Sequence, residues 1–333
     1  MMRGIRFSAG NGVAFLLVAA TAIVPFVTQN LFVYSTLNQA LIGIMAAISV
    51  HVMLRMDLLT FATPPFMAIG GYAVAIVSMR FDIADVFVLG AISFFTPTLA
   101  AILLGPLVLR LRGTYFVLVT FVLSEIMQLV LFLTPRLTGG SNGLVGFPAP
   151  TVFGISLSDN QSVLLLTTGL TVVAVVIAAF TTGYFRQHFS AIEENETLAE
   201  SLGLVIWHYK TLGFIVSAGI SGLAGFALVN MLLMAHPSSF TSVTAVNYIA
   251  YTIVGGRASL LGTAIGAALL VFATNLLGGQ GEYSEGLYGL LIILVVLIAK
   301  GGITGSAATL VQRLRVSPQP AATPSKLAQE AQR

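Results

Sequence analysis

The chain has no cysteine among its 333 residues, which excludes disulfides and thiolate metal sites. Its four histidines, His51, His188, His208 and His236, are scattered without ligand spacing, so no metal is expected. Charge is scarce: Asp, Glu, Lys and Arg together make up 8% of residues, and no stretch has the composition of a large soluble domain. Catalytic signatures are missing as well. There is no H-E-x-x-H, and the one G-x-S-x-G match, Gly139-Gly140-Ser141-Asn142-Gly143, lies in a Gly-rich stretch that reads as a turn. None of Lys210, Lys300 and Lys326 follows a glycine, as a G-x-x-x-x-G-K loop requires. No enzyme activity and no cofactor are expected, and any ATP-driven step needs another chain to bind the nucleotide. The net charge of +3 is small and gives no reason to expect a nucleic-acid partner.

What fills the chain is apolar sequence. Hydrophobic residues make up 57% and the mean hydropathy is +0.96. Apolar runs cover Val13–Val27, Leu37–Leu54, Leu58–Met79, Val86–Leu109, Tyr115–Leu133, Ser162–Thr182, Thr211–Met234, Val243–Val254, Leu260–Leu277 and Gly286–Ala299. Several have the roughly 20 residues needed to cross the hydrocarbon core. The reading is an all-α, polytopic membrane helix bundle of about 8–10 transmembrane helices in the lipid bilayer. Ala20 and Ala22 have the spacing of a cleavage site, but apolar residues continue past them, so the first span is expected to stay. The run from Val243 to Val254 is short, and with the next run it reads as a hairpin or a partly inserted helix followed by a full one. Thr63-Pro64-Pro65 predicts non-helical backbone near the start of the third run. The Gly- and Ser-rich stretch from Thr134 to Gln161 reads as a loop outside the membrane.

Basic residues set the orientation. With the N-terminus inside and one crossing per run, Arg3, Arg6, Arg55, Arg110, Arg112, Arg186, Lys210, Arg257 and Lys300 fall inside, as do Arg313, Arg315, Lys326 and Arg333. Only Arg80 and Arg136 fall outside. That is a strong positive-inside bias, and it puts both termini in the cytoplasm.

The longest polar interval between two apolar blocks, Tyr184 to Lys210, is then cytoplasmic. Ser190 followed by Glu193 fits a capping box. The clustered glutamates Glu193, Glu194, Glu196 and Glu200 suit the positive end of a helix. Gly203 is a natural left-handed stop, and Ile192, Ala199 and Leu202 leave an apolar stripe. One capped helix over 190–203 is expected, as a surface for another protein or as an ordinary solvated loop helix. Inside the membrane, Glu125 is the one acidic residue deep in an apolar run, with Gln128 one turn on. Such a group is costly there, so it serves either a path or the cohesion of the bundle. Gly70-Gly71, Gly219, Gly222, Gly225, Gly262 and Gly266 read as close helix packing.

Several stretches together resemble a known family. RLRGTYFVLVTFVLSEIMQLVLFLTPRLTGGSNGLVGFP (Arg110–Pro148), FSAIEENETLAESLGL (Phe189–Leu204), YKTLGFIVSAGISGLAG (Tyr209–Gly225) and TIVGGRASLLGTAIGAALLV (Thr252–Val271) are similar, in order and spacing, to LivM-type permease subunits of branched-chain amino acid ABC importers. The resemblance covers roughly Leu37 to Lys300 and implies a type II importer-like permease in the bacterial inner membrane. It implies cytoplasmic ABC ATPase subunits, a second and non-identical permease of the LivH type, and a periplasmic substrate-binding protein. ATPase coupling then falls to Ser190, Ile192, Glu193, Glu194, Ala199, Glu200, Leu202 and Gly203. A translocation path is assigned to Glu125, Gln128, Thr63, Pro64 and Gly70.

The domain reading follows: residues 1–12 a cytoplasmic N-terminus, 13–304 the permease domain containing coupling segment 184–210, and 305–333 a disordered cytoplasmic tail. Two departures stand out. Thr63-Pro64-Pro65 replaces the family's usual histidine and small residues, where a substrate path could run, and Glu193 stands where a basic residue is frequent. The first leaves the cargo open among branched-chain amino acids, urea, short amides and organic acids. Apart from the resemblance, a lone ion- or proton-coupled transporter or channel using Glu125, or a membrane scaffold, remain alternatives.

Overall fold

The computed structural model describes residues 9–257, 259–277, 284–298, 302, 303 and 305. The tail expected over 305–333 lies outside these, apart from residue 305, as does the stretch before residue 9.

Among the described residues, seven helices are long and apolar enough to cross a membrane. They are α3 (Leu31–Leu54), α4 (Thr63–Phe81), α5 (Val86–Val108), α6 (Thr114–Leu133), α8 (Asn160–Tyr184), α11 (Ile206–Leu232) and α13 (Leu260–Leu277). Three shorter apolar segments accompany them. The first is α1 (Ala9–Ala20), which runs through a 3-10 turn into α2 (Val24–Val27). The others are α12 (Ser242–Gly255) and α14 (Ser284–Ile298). The short helices α7 (Pro135–Thr138), α9 (Arg186–Glu194) and α10 (Glu196–Ser201) lie in the connections.

The short run near residue 243 forms α12. Its 14 residues rise about 21 Å, short of the roughly 30 Å core. The chain before it passes through a 3-10 turn over Pro237–Phe240, with Ala235, Pro237 and Phe240 buried.

α3 and α11 form the centre. Of its most apolar stretch, α3 buries 89% and α11 78%, against 28% for α5 and 22% for α6. α11 packs on α3, α4, α5 and α8. Small residues allow that approach. A Cβ on Gly222 would overlap the Ser93 carbonyl, and one on Gly225 the Met67 carbonyl. Hydroxyls fasten the same crossing: Ser49 Oγ lies 2.7 Å from Ser221 Oγ, 2.9 Å from Ser217 Oγ and 3.3 Å from Thr63 Oγ1 on α4. His51, also buried, meets Thr263 Oγ1 at 3.1 Å.

Pro64 and Pro65 do not interrupt a helix. They occupy the first turn of α4, where the missing N–H has no intrahelical partner to lose. The non-helical backbone is ahead of them, over 55–62.

The loops gather at two ends. At one end, β1 (Leu144–Val145) pairs antiparallel with β4 (Met234–Ala235), and β2 (Thr151–Val152) with β3 (Ile155–Ser156). Thr151 N–H also donates to the Ala84 carbonyl at 2.5 Å. We call this the hairpin end. At the opposite, ionic end lie the α3–α4, α5–α6 and α12–α13 turns together with α9 and α10, joined by the ion pairs described next.

Candidate coupling site

The chain leaves α8 at Phe185 and re-enters helix at once as α9. Phe189 and Ile192, 0% and 3% exposed, seat that helix on the bundle. Because the helix starts at Arg186, no free N-terminus exists at Ser190, and the expected capping box does not form. Ser190 Oγ instead accepts from Arg55 Nη2 at 3.2 Å. Nor is there one helix over 190–203. Asn195 is extended (φ −161°, ψ 106°) and breaks it. Its Oδ1 accepts from Leu198 N–H at 3.0 Å and so caps α10. Gly203 follows with φ +89°, a conformation that suits glycine.

This break sorts the glutamates. Glu193 lies at the C-terminal end of α9, the wrong end for a carboxylate and the helix dipole. Two cations from elsewhere compensate: Arg55 at 3.4 Å and Arg257 at 3.3 Å. A basic residue at 193 would repel both. Arg257 also reaches Asp57 at 3.5 Å. Glu196 is in the first turn of α10, the favourable end. It is held by Arg112 Nε at 3.0 Å and Lys210 Nζ at 2.8 Å. The Lys210 side chain is 3% exposed. Glu200 meets Arg112 at 3.4 Å.

Thus α9 is tied to the end of α3 and the α12–α13 turn, and α10 to the α5–α6 turn and the N-terminal part of α11. Within 190–203, Ile192 and Ala199 are buried, but Leu202 is 78% exposed and does not complete an apolar stripe. Leu198, Glu194, Glu200, Leu202 and Gly203 face outward. Clefts of about 460 and 440 Å³ flank the ridge from Gly203 to Val205.

The residues assigned to a path are not brought together. Thr63, Pro64 and Gly70 are buried in the α3–α4–α11 core. Glu125 is exposed near the middle of α6, whose buried positions are Phe116, Thr120, Ser124 and Leu131. Gln128 is half-buried, and no hydrogen bond or ion pair joins the Glu125 side chain to another described residue.

Sequence reasoning missed the pairing of Arg55, Arg112, Lys210 and Arg257 with the glutamates. Their shared sidedness was the available signal, since all four fall inside in the positive-inside pattern.

The model of the "Branched-chain amino acid transport system / permease component" family matches residues 32–298. The chain belongs to this family. It is 28% identical to the high-affinity branched-chain amino acid transport system permease protein LivM of Escherichia coli K12, over 86% of this chain and 73% of the relative. The corresponding Salmonella typhimurium protein is 28% identical over 72% of this chain and 61% of its own length. A ribose import permease protein, RbsC of Haemophilus influenzae, is 28% identical over 34% of this chain and 37% of its own length. No solved structure matches. The chain is therefore a transmembrane permease subunit of an ABC importer, a multi-pass inner-membrane protein and not an enzyme. Such a permease works with a separate ATPase and a substrate-binding protein.

Proposed function

We propose that this permease carries branched-chain amino acids, or a related small polar or organic-acid solute, and that its ATPase docks on α9 and α10 from the cytoplasm. The observation that supports this is the ion-pair lattice. It links a segment of about four helical turns to four separate parts of the bundle, through Glu193, Glu196 and Glu200. A push on α10 is passed to α11 by the Lys210–Glu196 pair, and α11 touches most of the other central helices. The orientation follows the charges. Arg55, Arg112, Lys210 and Arg257 share the ionic end, while Arg80 and Arg136 belong to the other loops. The ionic end is then cytoplasmic, as are both termini, and the hairpin end meets the periplasmic binding protein.

A second, LivH-type permease is placed against the outer face of α5 and α6. A carboxylate facing lipid at mid-span costs about 2.5–3.5 kcal/mol, so Glu125 favours a protein or aqueous neighbour there. The translocation path is assigned to this face, with Glu125 and Gln128 lining it. Thr63, Pro64 and Gly70 support it only through packing.

The mechanism needs no covalent step. ATPase closure displaces α10, and the bundle rocks to change which end is open. The test is affinity capture of the chain from gently solubilised native membranes, with mass spectrometry of what accompanies it. An ABC ATPase and a second permease are expected. Gly203→Pro and Glu200→Lys should leave the bundle folded and abolish uptake, and retained uptake in either would count against the coupling role.

A further inference from the structure

α5 carries a proline at its midpoint. Pro97 is buried inside the helix, and it has no N–H to give the Ser93 carbonyl one turn back. A missing rung of this kind is where helices bend. Hydroxyls on either side compete for neighbouring carbonyls. Thr96 Oγ1 donates to the Ile92 carbonyl at 2.8 Å, and Thr98 Oγ1 to the Phe94 carbonyl at 2.7 Å. Such back-bonding also favours bending.

The freed carbonyl is not left to lipid. Ser93 is 0% exposed, and its carbonyl abuts Gly222 on α11, where a Cβ would overlap it. Gly70 on α4 closes the third side, since a Cβ there would meet both Gly222 and the Ser93 carbonyl. A Cα–H at such a crossing replaces the missing N–H only weakly. The buried positions of α5, Leu89, Ser93, Pro97, Ala101, Gly105 and Val108, recur every three or four residues. The helix therefore touches the bundle along one line, and a tilt about a point on that line disturbs little else.

The two halves of α5 are fastened to different things. At the inner end, the α5–α6 turn carries Arg112, which holds Glu196 at 3.0 Å and Glu200 at 3.4 Å on α10. At the outer end, Asp85 Oδ1 caps the helix, accepting from Phe87 and Val88 N–H at 2.9 and 3.1 Å. Next to it, Thr151 N–H of the β2–β3 hairpin donates to the Ala84 carbonyl. Phe153 at the hairpin tip, 87% exposed, has its ring centroid 6.0 Å from that of Phe87. The second proline, Pro106, lies exposed in the last turn of α5 and can bend only that turn.

We propose that α5 is a jointed lever. Its inner half follows α10, and its outer half carries the displacement to the β2–β3 hairpin. Pro97 is the positioning residue that lets the halves tilt about Gly222. The source of the displacement rests on the docking of the ATPase at α10, whereas the joint itself does not.

The absence of cysteine makes the test direct. Phe153→Cys at the hairpin tip and Leu202→Cys after α10 are read separately, in the intact importer purified from native membranes. The readout is the rate of labelling by a water-soluble maleimide, with and without a non-hydrolysable ATP analogue. The analogue is expected to change the rate severalfold at both positions. Pro97→Ala, which restores the N–H, should abolish the change at 153, keep it at 202 and lower uptake severalfold. Pro97→Val restores the same N–H with more of the buried volume, and replaces the alanine variant if that fails to assemble. Pro106→Ala, the same change on the same helix, should leave both responses intact. The proposal is overturned if position 153 does not respond in the parent, or if its response survives in the Pro97 variants or is abolished equally by Pro106→Ala. It is also overturned if the Pro97 variants lose the response at 202, since Pro97 would then only hold the bundle together. A response at 153 that needs Pro97, with none at 202, would keep the joint and count against ATPase docking on α10.

Discussion

Lys210 and Asn230 stand near opposite ends of the same helix, α11, and are buried to nearly the same degree, 2% and 1% exposed. Their partners differ completely. Lys210 has a carboxylate at 2.8 Å, and that carboxylate has a second cation behind it. Asn230 has no partner for either end of its amide. The ionic end is thus closed upon itself, and the hairpin end leaves polar capacity unused. A region that must pass on a displacement needs its charges locked to the helices that move.

The comparison breaks most sharply at Lys210. Lys210→Met is expected to destabilise the protein by about 2–3 kcal/mol and to reduce uptake at least tenfold. The figure is below the 3–5 kcal/mol of a fully buried pair, because Glu196 is 25% exposed and keeps Arg112. Lys210→Arg should restore part of the uptake. Thermal unfolding and transport in membrane vesicles check both. If Lys210→Met transported normally, the ionic end would be mere decoration. Asn230→Leu should act in the opposite direction. Replacing an unpaired buried amide by an apolar group of the same shape is expected to raise stability by about 1–2 kcal/mol. A lower unfolding temperature would show that Asn230 is not unpartnered.

Asn195→Ala removes the α10 cap and should cost about 1 kcal/mol. Faster amide hydrogen exchange confined to 196–201 would report it. Arg257→Ala should matter least. Arg257 is 53% exposed and its contacts are 3.3 and 3.5 Å, so a change within about 0.5 kcal/mol is expected. A large loss there would mean that the exposed clamp on α9, not the buried one on α10, governs the ionic end.

Much of this was legible in the sequence. The spans follow from apolar length alone, and Gly203 as a left-handed stop follows from its conformational freedom. The short length of α12 follows from the shortness of its run. The close crossings follow from glycine spacing. Three features were not legible, each for a physical reason.

Ser190 and Glu193 have the spacing of a capping box, but the box needs a free helix start. Whether α8 has ended by then depends on how Phe185, Phe189 and Tyr209 pack at its foot. The rotation of α6 about its axis could not be read, because nearly every face of it is apolar. Which side Glu125 takes is therefore decided by the neighbouring helices, and the structure turns it away from them. Finally, ion pairs such as Arg55–Glu193 and Arg257–Glu193 join residues far apart in the chain. Sidedness narrows the choices, and only the packed bundle fixes the partners.

The most direct test of the ionic end as the ATPase-binding face uses the same freedom from cysteine. Leu202→Cys, 78% exposed on the ridge after α10, and Val145→Cys, 56% exposed at the hairpin end, are each treated in native membranes with a short bifunctional maleimide. Cross-linking of position 202, and not position 145, to the ATPase is expected. Cross-linking from 145 alone would reverse the orientation and contradict the coupling assignment.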